Sequence, residues 1–177
     1  MTPAGVIEAP ARLSPAKRAF DVVASAIGLA VLSPLLVGIA VAVRRDGGPA
    51  LFRQERVGRH GRPFRLLKFR SMVVDAERLG AQVTVGGDPR VTAVGRWLRK
   101  TKLDELPQLL NVLRGEMSLV GPRPEVPRYV ALYTPEQRRV LDVPPGITDP
   151  ASIRFRDEEG ELAAAADPHA HYVEVLM

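Results

Sequence analysis

From Val22 to Val43 the chain carries no charged residue, and these 22 residues in helical form would extend about 33 Å, enough to cross a bilayer core. Ser33-Pro34 falls at the middle of the segment. Proline removes the amide that would bond the Ala30 carbonyl and crowds the preceding turn, while the Ser33 hydroxyl can donate to a carbonyl so freed. A sharp bend is expected there. Lys17 and Arg18 before the segment and Arg44 and Arg45 after it are all basic, so the positive-inside rule does not choose which end faces out. The simplest resolution keeps both ends on the cytoplasmic face, as a re-entrant helix-break-helix that dips into one leaflet. A kinked single-pass helix competes with it. A buried core helix would show a polar stripe, and a signal peptide, suggested by Ala40-Val41-Ala42, would have a shorter apolar region.

Downstream the pattern changes to short elements. Leu51–Val57 and Phe64–Phe69 alternate as two strands of a β-hairpin, with Gly58-Arg59-His60-Gly61 and Pro63 in the turn. Val73–Leu79 is predicted as a short helix, Thr84–Arg90 as a loop and Val91–Lys100 as a second helix. Leu103, Leu106, Leu109, Leu110 and Leu113 recur at helical spacing, and Arg114-Gly115 supplies a basic last turn and a residue suited to a left-handed C-cap. Frequent prolines break the chain beyond Pro122. The expected organisation is a mobile tail over residues 1–16, a re-entrant membrane helix over 17–45 and a compact cytoplasmic catalytic domain over 46–177. The expected fold class is mainly α with a small β-hairpin, an α+β fold with amphipathic interfacial helices.

Composition narrows the chemistry. With no cysteine there is no disulfide framework, no thiolate metal site and no cysteine nucleophile, and His60, His169 and His171 fit no zinc-binding spacing. The net charge of +5 hides a polarity along the chain. Residues 44–70 hold eight arginines and Lys68 against Asp46 and Glu55, a net +7, whereas residues 142–177 net −6. So dense a basic block beside an apolar segment predicts an anionic partner: lipid head groups, a nucleotide diphosphate or nucleic acid.

The most informative stretch opens the leucine-periodic segment. Asp104 and Glu105 stand side by side, with Arg96, Arg99, Lys100, Lys102, Arg114 and Arg123 nearby in sequence. Adjacent helical residues diverge by about 100°. The two carboxylates therefore cannot share one task face to face, but at a helix start they can reach two points of one ligand. One could attack phosphorus while the other holds a metal. Thr101-x-x-Asp104 also fits a capping box, in which the acids would serve the helix alone.

Together these segments resemble the bacterial sugar transferase family, the small monotopic phosphoglycosyl transferases that start glycan assembly on polyprenol phosphate. The resemblance runs from about Lys17 to the end of the chain. It rests on Lys17-Arg18-x-x-Asp21 before the Ser33-Pro34 segment, on Lys68-Phe69-Arg70-Ser71-Met72 and on Leu103-Asp104-Glu105-Leu106-Pro107-Gln108. It rests equally on Asn111-Val112-Leu113-Arg114-Gly115-Glu116-Met117-Ser118 and Gly121-Pro122-Arg123-Pro124-Glu125. The resemblance implies a re-entrant helix broken at Ser33 and Pro34 and a site at the cytoplasmic face of the bacterial inner membrane. It also implies transfer of a phospho-sugar from a UDP-sugar to undecaprenyl phosphate with release of UMP. On this chain it makes Asp104 the nucleophile that forms an aspartyl phospho-sugar intermediate and Glu105 a ligand of Mg²⁺. Lys68, Arg70, Arg99 and Arg123 are the cations expected on the diphosphate and nucleotide. The expected partners are the donor, the acceptor and membrane lipids, with a homodimer admissible and no nucleic acid.

Family members of the shorter kind continue with Gly-Ile-Thr-Gly, whereas this chain reads Gly146-Ile147-Thr148-Asp149-Pro150-Ala151-Ser152-Ile153-Arg154, a departure that bears on the choice of sugar. The chain ends at Met177 inside an apolar-periodic stretch where members usually continue, as a naturally short member or a fragment would. The alternative function is a non-catalytic membrane anchor with a basic lipid- or nucleotide-binding face. Such an anchor has no use for a carboxylate pair among its cations, since each acid offsets a cation.

Overall fold

A computed structural model describes residues 14–45, 47–79, 87–149, 162, 164–165 and 167–172. The tail expected over residues 1–16 lies outside the described residues up to position 13, and Ser14, Pro15 and Ala16 form the cap and start of a helix instead; the first part of the loop expected from Thr84 and the segments 150–161 and 173–177 also lie outside the described residues.

The apolar segment forms one helix, α1 (Pro15–Arg44), about 45 Å long by its 30 residues, with Pro15 at its first turn, where a missing amide costs nothing. Helical backbone runs without interruption through Pro34, so the break expected at Ser33-Pro34 is not a change of secondary structure. The local remedy expected there is present: Ser33 Oγ donates to the Ala30 carbonyl at 2.8 Å, the group that Pro34 leaves without an amide. One face of α1, through Asp21, Ser25, Ile39 and Val43, is buried, and the opposite face exposes Phe20, Val23, Ile27, Val31, Leu35 and Val41.

Both ends of that buried face meet the rest of the protein. The hairpin β1 (Leu51–Val57) and β2 (Pro63–Phe69) is antiparallel, with Leu51 opposite Phe69 and Val57 opposite Pro63, and a 3-10 turn at Arg59–Gly61 joins the strands. After α2 (Ala76–Leu79), α3 (Ala93–Thr101) is capped by Thr92, whose hydroxyl accepts from Gly95 N at 2.9 Å. Gly95 is required there, because a Cβ would lie 1.8 Å from the Ser71 carbonyl oxygen. Ile39 and Val43 of α1 pack with Phe69 and Leu98 in one core, with Leu36, Leu51, Val94 and Leu103 at its margin.

At the other end of α1 a polar network replaces apolar packing. After α4 (Gln108–Arg114), Gly115 takes the left-handed conformation expected of it (φ 83°) and the chain turns into β3 (Ser118–Val120). Arg18 donates to the Val112 and Leu113 carbonyls at 2.6 and 2.9 Å, which satisfies the open C-terminal end of α4. Asp21 pairs with Lys17 and accepts from Ser118 Oγ at 2.8 Å and from Leu119 N at 3.3 Å. A second core joins Phe64, Leu66, Val112 and Met117, and buried Asn111 ties α4 to β2 by accepting from Leu67 N and donating to the Arg65 carbonyl.

The sequence pattern did not predict β4 (Gly146–Thr148), which pairs in parallel with β3, Ser118 opposite Gly146 and Val120 opposite Thr148. Close passage of Gly121 and Gly146 makes it possible, since a Cβ on Gly146 would meet Gly121 N at 2.1 Å. Short helices α5 (Pro127–Val130), α6 (Pro135–Arg138) and α7 (Pro168–His171) complete the described chain. The observed class is a mixture of helices with two small sheets, which agrees with the α+β expectation.

Candidate active site

Asp104 and Glu105 do not open a helix as the leucine periodicity implied. They occupy a 3-10 turn, Leu103–Glu105, entered through Lys102 in the left-handed conformation (φ 57°), and α4 begins only at Gln108 behind Pro107. Pro107 stops the leucine-periodic segment from forming one continuous helix. The capping-box alternative is absent too: Thr101 closes α3 and its hydroxyl donates back to Trp97 O and Leu98 O at 2.9 and 3.1 Å.

This turn aims the two carboxylates into different surroundings. Glu105 Oε1 receives Lys68 Nζ at 2.9 Å and lies 3.5 Å from Arg123 Nη1. Burial alone would raise its pKa, but the two cations hold it down to about 2. Asp104 is 7% exposed, and its Oδ1 is buried with no hydrogen-bond partner among the described residues. Burial, and then the neighbouring Glu105 charge, raise the Asp104 pKa above the ordinary value although Lys68 and Arg99 oppose this. Lys68 is itself pushed down by burial, with Glu105 opposing.

Three elements deliver the surrounding cations. Lys68 comes from β2, Arg99 from the last turn of α3, and Arg123 from a turn that Pro122 and Pro124 restrict and that Arg123 N anchors by donating to Asp149 at 3.0 Å. All three line one open cavity of about 1000 Å³ together with Asp104 and Glu105. Arg70 also lines this cavity, yet its guanidinium donates to the carbonyls of Pro49, Met72 and Val43 at 2.9, 3.1 and 2.9 Å. It fastens the end of α1 to the end of β2. Arg96, Lys100 and Arg114, part of the cationic setting read from sequence, are exposed and stand apart from the cavity's lining. Ser33 and Pro34 lie on the exposed part of α1, away from the dyad's partners.

Sequence reasoning passed over Arg56, Glu125, Tyr129 and Tyr172, which line the same cavity. Glu125 was in view as the last residue of the Gly121–Glu125 motif, but no spacing linked it to Tyr172, 47 residues on, whose hydroxyl donates to it.

Among the described residues no cluster of three or more His, Asp or Glu side chains forms a metal cage. The donor set does fit a divalent ion of the Mg²⁺ kind, which commonly takes one or two carboxylates with substrate phosphates and water, and Glu105, held ionised at the cavity's edge, is one such carboxylate.

The profile of the family described as bacterial sugar transferase matches residues 12–176. An undecaprenyl-phosphate glucose phosphotransferase of Komagataeibacter xylinus is 48% identical over 159 residues, covering 85% of this chain and 30% of that protein. An undecaprenyl-phosphate galactose phosphotransferase of Salmonella typhimurium is 45% identical over 157 residues, 80% of this chain and 33% of that one. A UDP-N-acetylgalactosamine-undecaprenyl-phosphate N-acetylgalactosaminephosphotransferase of Aeromonas hydrophila is 47% identical over 121 residues, 68% and 29% of the two chains. The chain spans about a third of the length of these relatives.

Proposed function

Because the chain belongs to the bacterial sugar transferase family, we propose that it transfers a phospho-sugar from a UDP-sugar to polyprenol phosphate, with Asp104 as nucleophile and UMP as first product. The observation that carries this reading is the opposed setting of two neighbouring carboxylates: Glu105 is neutralised by Lys68 and Arg123, whereas Asp104 is buried with one oxygen unpartnered. Pairs of titratable groups driven apart in this way mark a division of chemical labour. An oxygen without protein partners retains its electron pair for an incoming phosphorus.

In the first step an Asp104 oxygen forms a bond to the phosphorus that carries the sugar, and the bond from that phosphorus to the bridging oxygen breaks. The electron pair leaves on UMP. In the second, an oxygen of polyprenol phosphate attacks the same phosphorus, and the bond to Asp104 breaks, which restores the carboxylate and yields the polyprenol diphospho-sugar. Both attacks run in line with the same Asp104 oxygen, so the incoming lipid phosphate takes the place that the UMP phosphate left. Lys68, Arg99 and Arg123 bear on both halves, holding phosphate oxygens beside the dyad. Glu105 would hold Mg²⁺, which when bound would neutralise charge on the diphosphate.

The placement of α1 supports a membrane-surface site. It is long and apolar enough to cross a membrane, yet both ends of its buried face pack on the same set of elements, Asp21 against β3 and Val43 against Phe69 and Leu98. A straight crossing would separate those ends by the bilayer. The reading is therefore a re-entrant, monotopic helix with the exposed stripe from Phe20 to Val41 in lipid and the catalytic residues at the cytoplasmic face. Single cysteines placed at Ala16 and Gly48 should both resist a membrane-impermeant thiol reagent in intact cells; labelling at one end only would reject this topology.

The function itself is tested with purified protein, Mg²⁺, undecaprenyl phosphate and the UDP derivatives of glucose, galactose and their N-acetylamino forms. Release of UMP in step with formation of the lipid product is expected for at least one donor. Release of UDP, or no release with any of them, would reject the reading.

A further inference from the structure

The cavity around Asp104 has walls of two chemical kinds. From α1, β1 and α3 it is lined by Arg44, Arg53 and Arg99, cations suited to phosphate oxygens, whereas Arg90 is held by the Asp88 carboxylate. On the side reached through Arg123 it is lined by Arg56, Glu125, Tyr129 and Tyr172. The second wall carries a buried carboxylate that would repel phosphate, paired with an arginine and two phenols.

Resting on the reading above, we propose that Glu125, Arg56 and Tyr172 form the subsite that reads the hydroxyl groups of the donor's hexose, with the Tyr172 ring as its apolar floor. The sugar is bonded directly to the phosphorus that Asp104 attacks, so it must lie within one ring's reach of the dyad. The uncharged part of the donor then belongs on the wall whose charges, Arg56 and Glu125, are paired with each other. That wall is continuous with the dyad. Arg123 contacts Glu105, Pro124 separates Arg123 from Glu125, and Arg56 donates to the Pro124 carbonyl at 2.9 Å while its Nη1 lies 3.7 Å from Glu125 Oε2.

The groups suit hydroxyl recognition. A carboxylate offers about four acceptor sites, and a phenol both donates and accepts, so the Tyr172–Glu125 contact leaves capacity for sugar hydroxyls of defined direction. Glu125 is fixed in direction by Val126 N, which donates to its Oε2 at 3.2 Å. Tyr129, almost fully buried with the Arg128 guanidinium 4.5 Å over its ring, backs the Tyr172 ring at 5.0 Å with a tilt of 46°, and the Tyr172 ring is the kind of face that a sugar's C–H edge covers. Tyr172 comes from the segment after α7, far in sequence from the dyad.

The test compares wild type with Tyr172→Phe and Glu125→Gln. For each, kcat/KM is measured with UDP-glucose, UDP-galactose, UDP-N-acetylglucosamine and UDP-N-acetylgalactosamine, and inhibition is measured with UDP, which lacks the sugar. A site built to hydrogen-bond a hydroxyl discriminates by that bond. Tyr172→Phe should therefore change the ratio between the best donor and its C4 epimer by about tenfold and leave the UDP inhibition constant within about twofold. An equal fall for every donor with the ratio preserved would overturn the proposal and reduce the contact to a structural latch. Tyr172→Phe keeps the ring and carries the test if Glu125→Gln fails to fold. Calorimetric affinity of each UDP-sugar relative to UDP separates the two readings. Wild-type preference for a UDP-sugar over UDP should vanish in Tyr172→Phe whether or not turnover occurs, and no such preference in wild type would overturn the subsite. Failure of the parent reading shows separately, as absence of UMP release.

Discussion

The anchorage of α1 and the turn that carries Asp104 both bury charge, and they complete it differently. At the anchorage Asp21 takes Lys17, Ser118 Oγ and Leu119 N, Arg18 takes two carbonyls of α4, and Arg70 takes three carbonyls from Val43, Pro49 and Met72. Apart from Lys17, which shares α1 with Asp21, the partners of Asp21 and Arg18 come from outside the helix, and Arg70 reaches Val43 from outside it, which fixes the helix against its neighbours. At the turn Leu103–Glu105, Glu105 is matched by Lys68 and Arg123, but Asp104 keeps a buried oxygen with none among the described residues. A buried polar group left unmatched costs stability; Ser25 Oγ on α1 is another, and what sets Asp104 apart is that its unmatched atom belongs to a carboxylate at a cavity lined by cations.

The widest separation between the two regions is expected from Asp104→Asn. UMP release should fall by at least about a thousandfold, as for loss of an attacking group. The same change removes a charge that the fold disfavours, shown by the raised pKa of Asp104, so the melting temperature should hold or rise. A large fall in melting temperature would mean that the carboxylate serves the fold.

Glu105→Gln should cut turnover by about a hundredfold, and its pH profile is the sharper readout. In wild type a falling pH protonates Asp104 while Glu105, at about 2, stays ionised, so the acid limb of kcat/KM should lie above the ordinary aspartate value of 3.8. Removing the Glu105 charge removes one cause of the raised pKa and leaves Lys68 to Asp104 alone. The limb should then move to lower pH. A limb that stays in place would disconnect the two carboxylates.

Asp21→Ala acts on the other region. It leaves Lys17 and Ser118 without their shared partner, and since Lys17 is about one-third exposed, water softens the loss to about 2 kcal/mol. Stability in detergent should drop while UMP release per folded molecule stays near wild type. The smallest effect is expected from Ser33→Ala, which removes the donor to Ala30 O at 2.8 Å on an exposed part of α1, for about 0.5–1 kcal/mol in thermal unfolding and no change in pH profile.

Much of the anchorage and of the site was legible along the chain because its signals are local. Charge-free length announced α1, alternation announced the hairpin, and Arg114-Gly115 announced the end of α4. Asp104, Glu105, Lys68 and Arg123 were singled out by residue type and motif order, and the fold brings them to one cavity. What escaped depended on tertiary contact. The leucine period suggested a helix through the dyad, and Pro107 with left-handed Lys102 made a separate turn instead. Arg70, grouped with the substrate cations, finds three main-chain carbonyls that only folding assembles. The β3–β4 pair is three residues a side and depends on two glycines 25 positions apart, a contact without a period to betray it.

The central claim is that Asp104 itself becomes bonded to phosphorus, and intact-protein mass reads this directly. Protein mixed with Mg²⁺ and a UDP-sugar it accepts, without any polyprenol phosphate, should gain the mass of one phospho-sugar and release up to one equivalent of UMP. Addition of undecaprenyl phosphate should remove that mass, and Asp104→Asn should never acquire it. A wild-type protein that turns over only when both substrates are present together, and never gains the mass, would contradict the account and establish direct transfer.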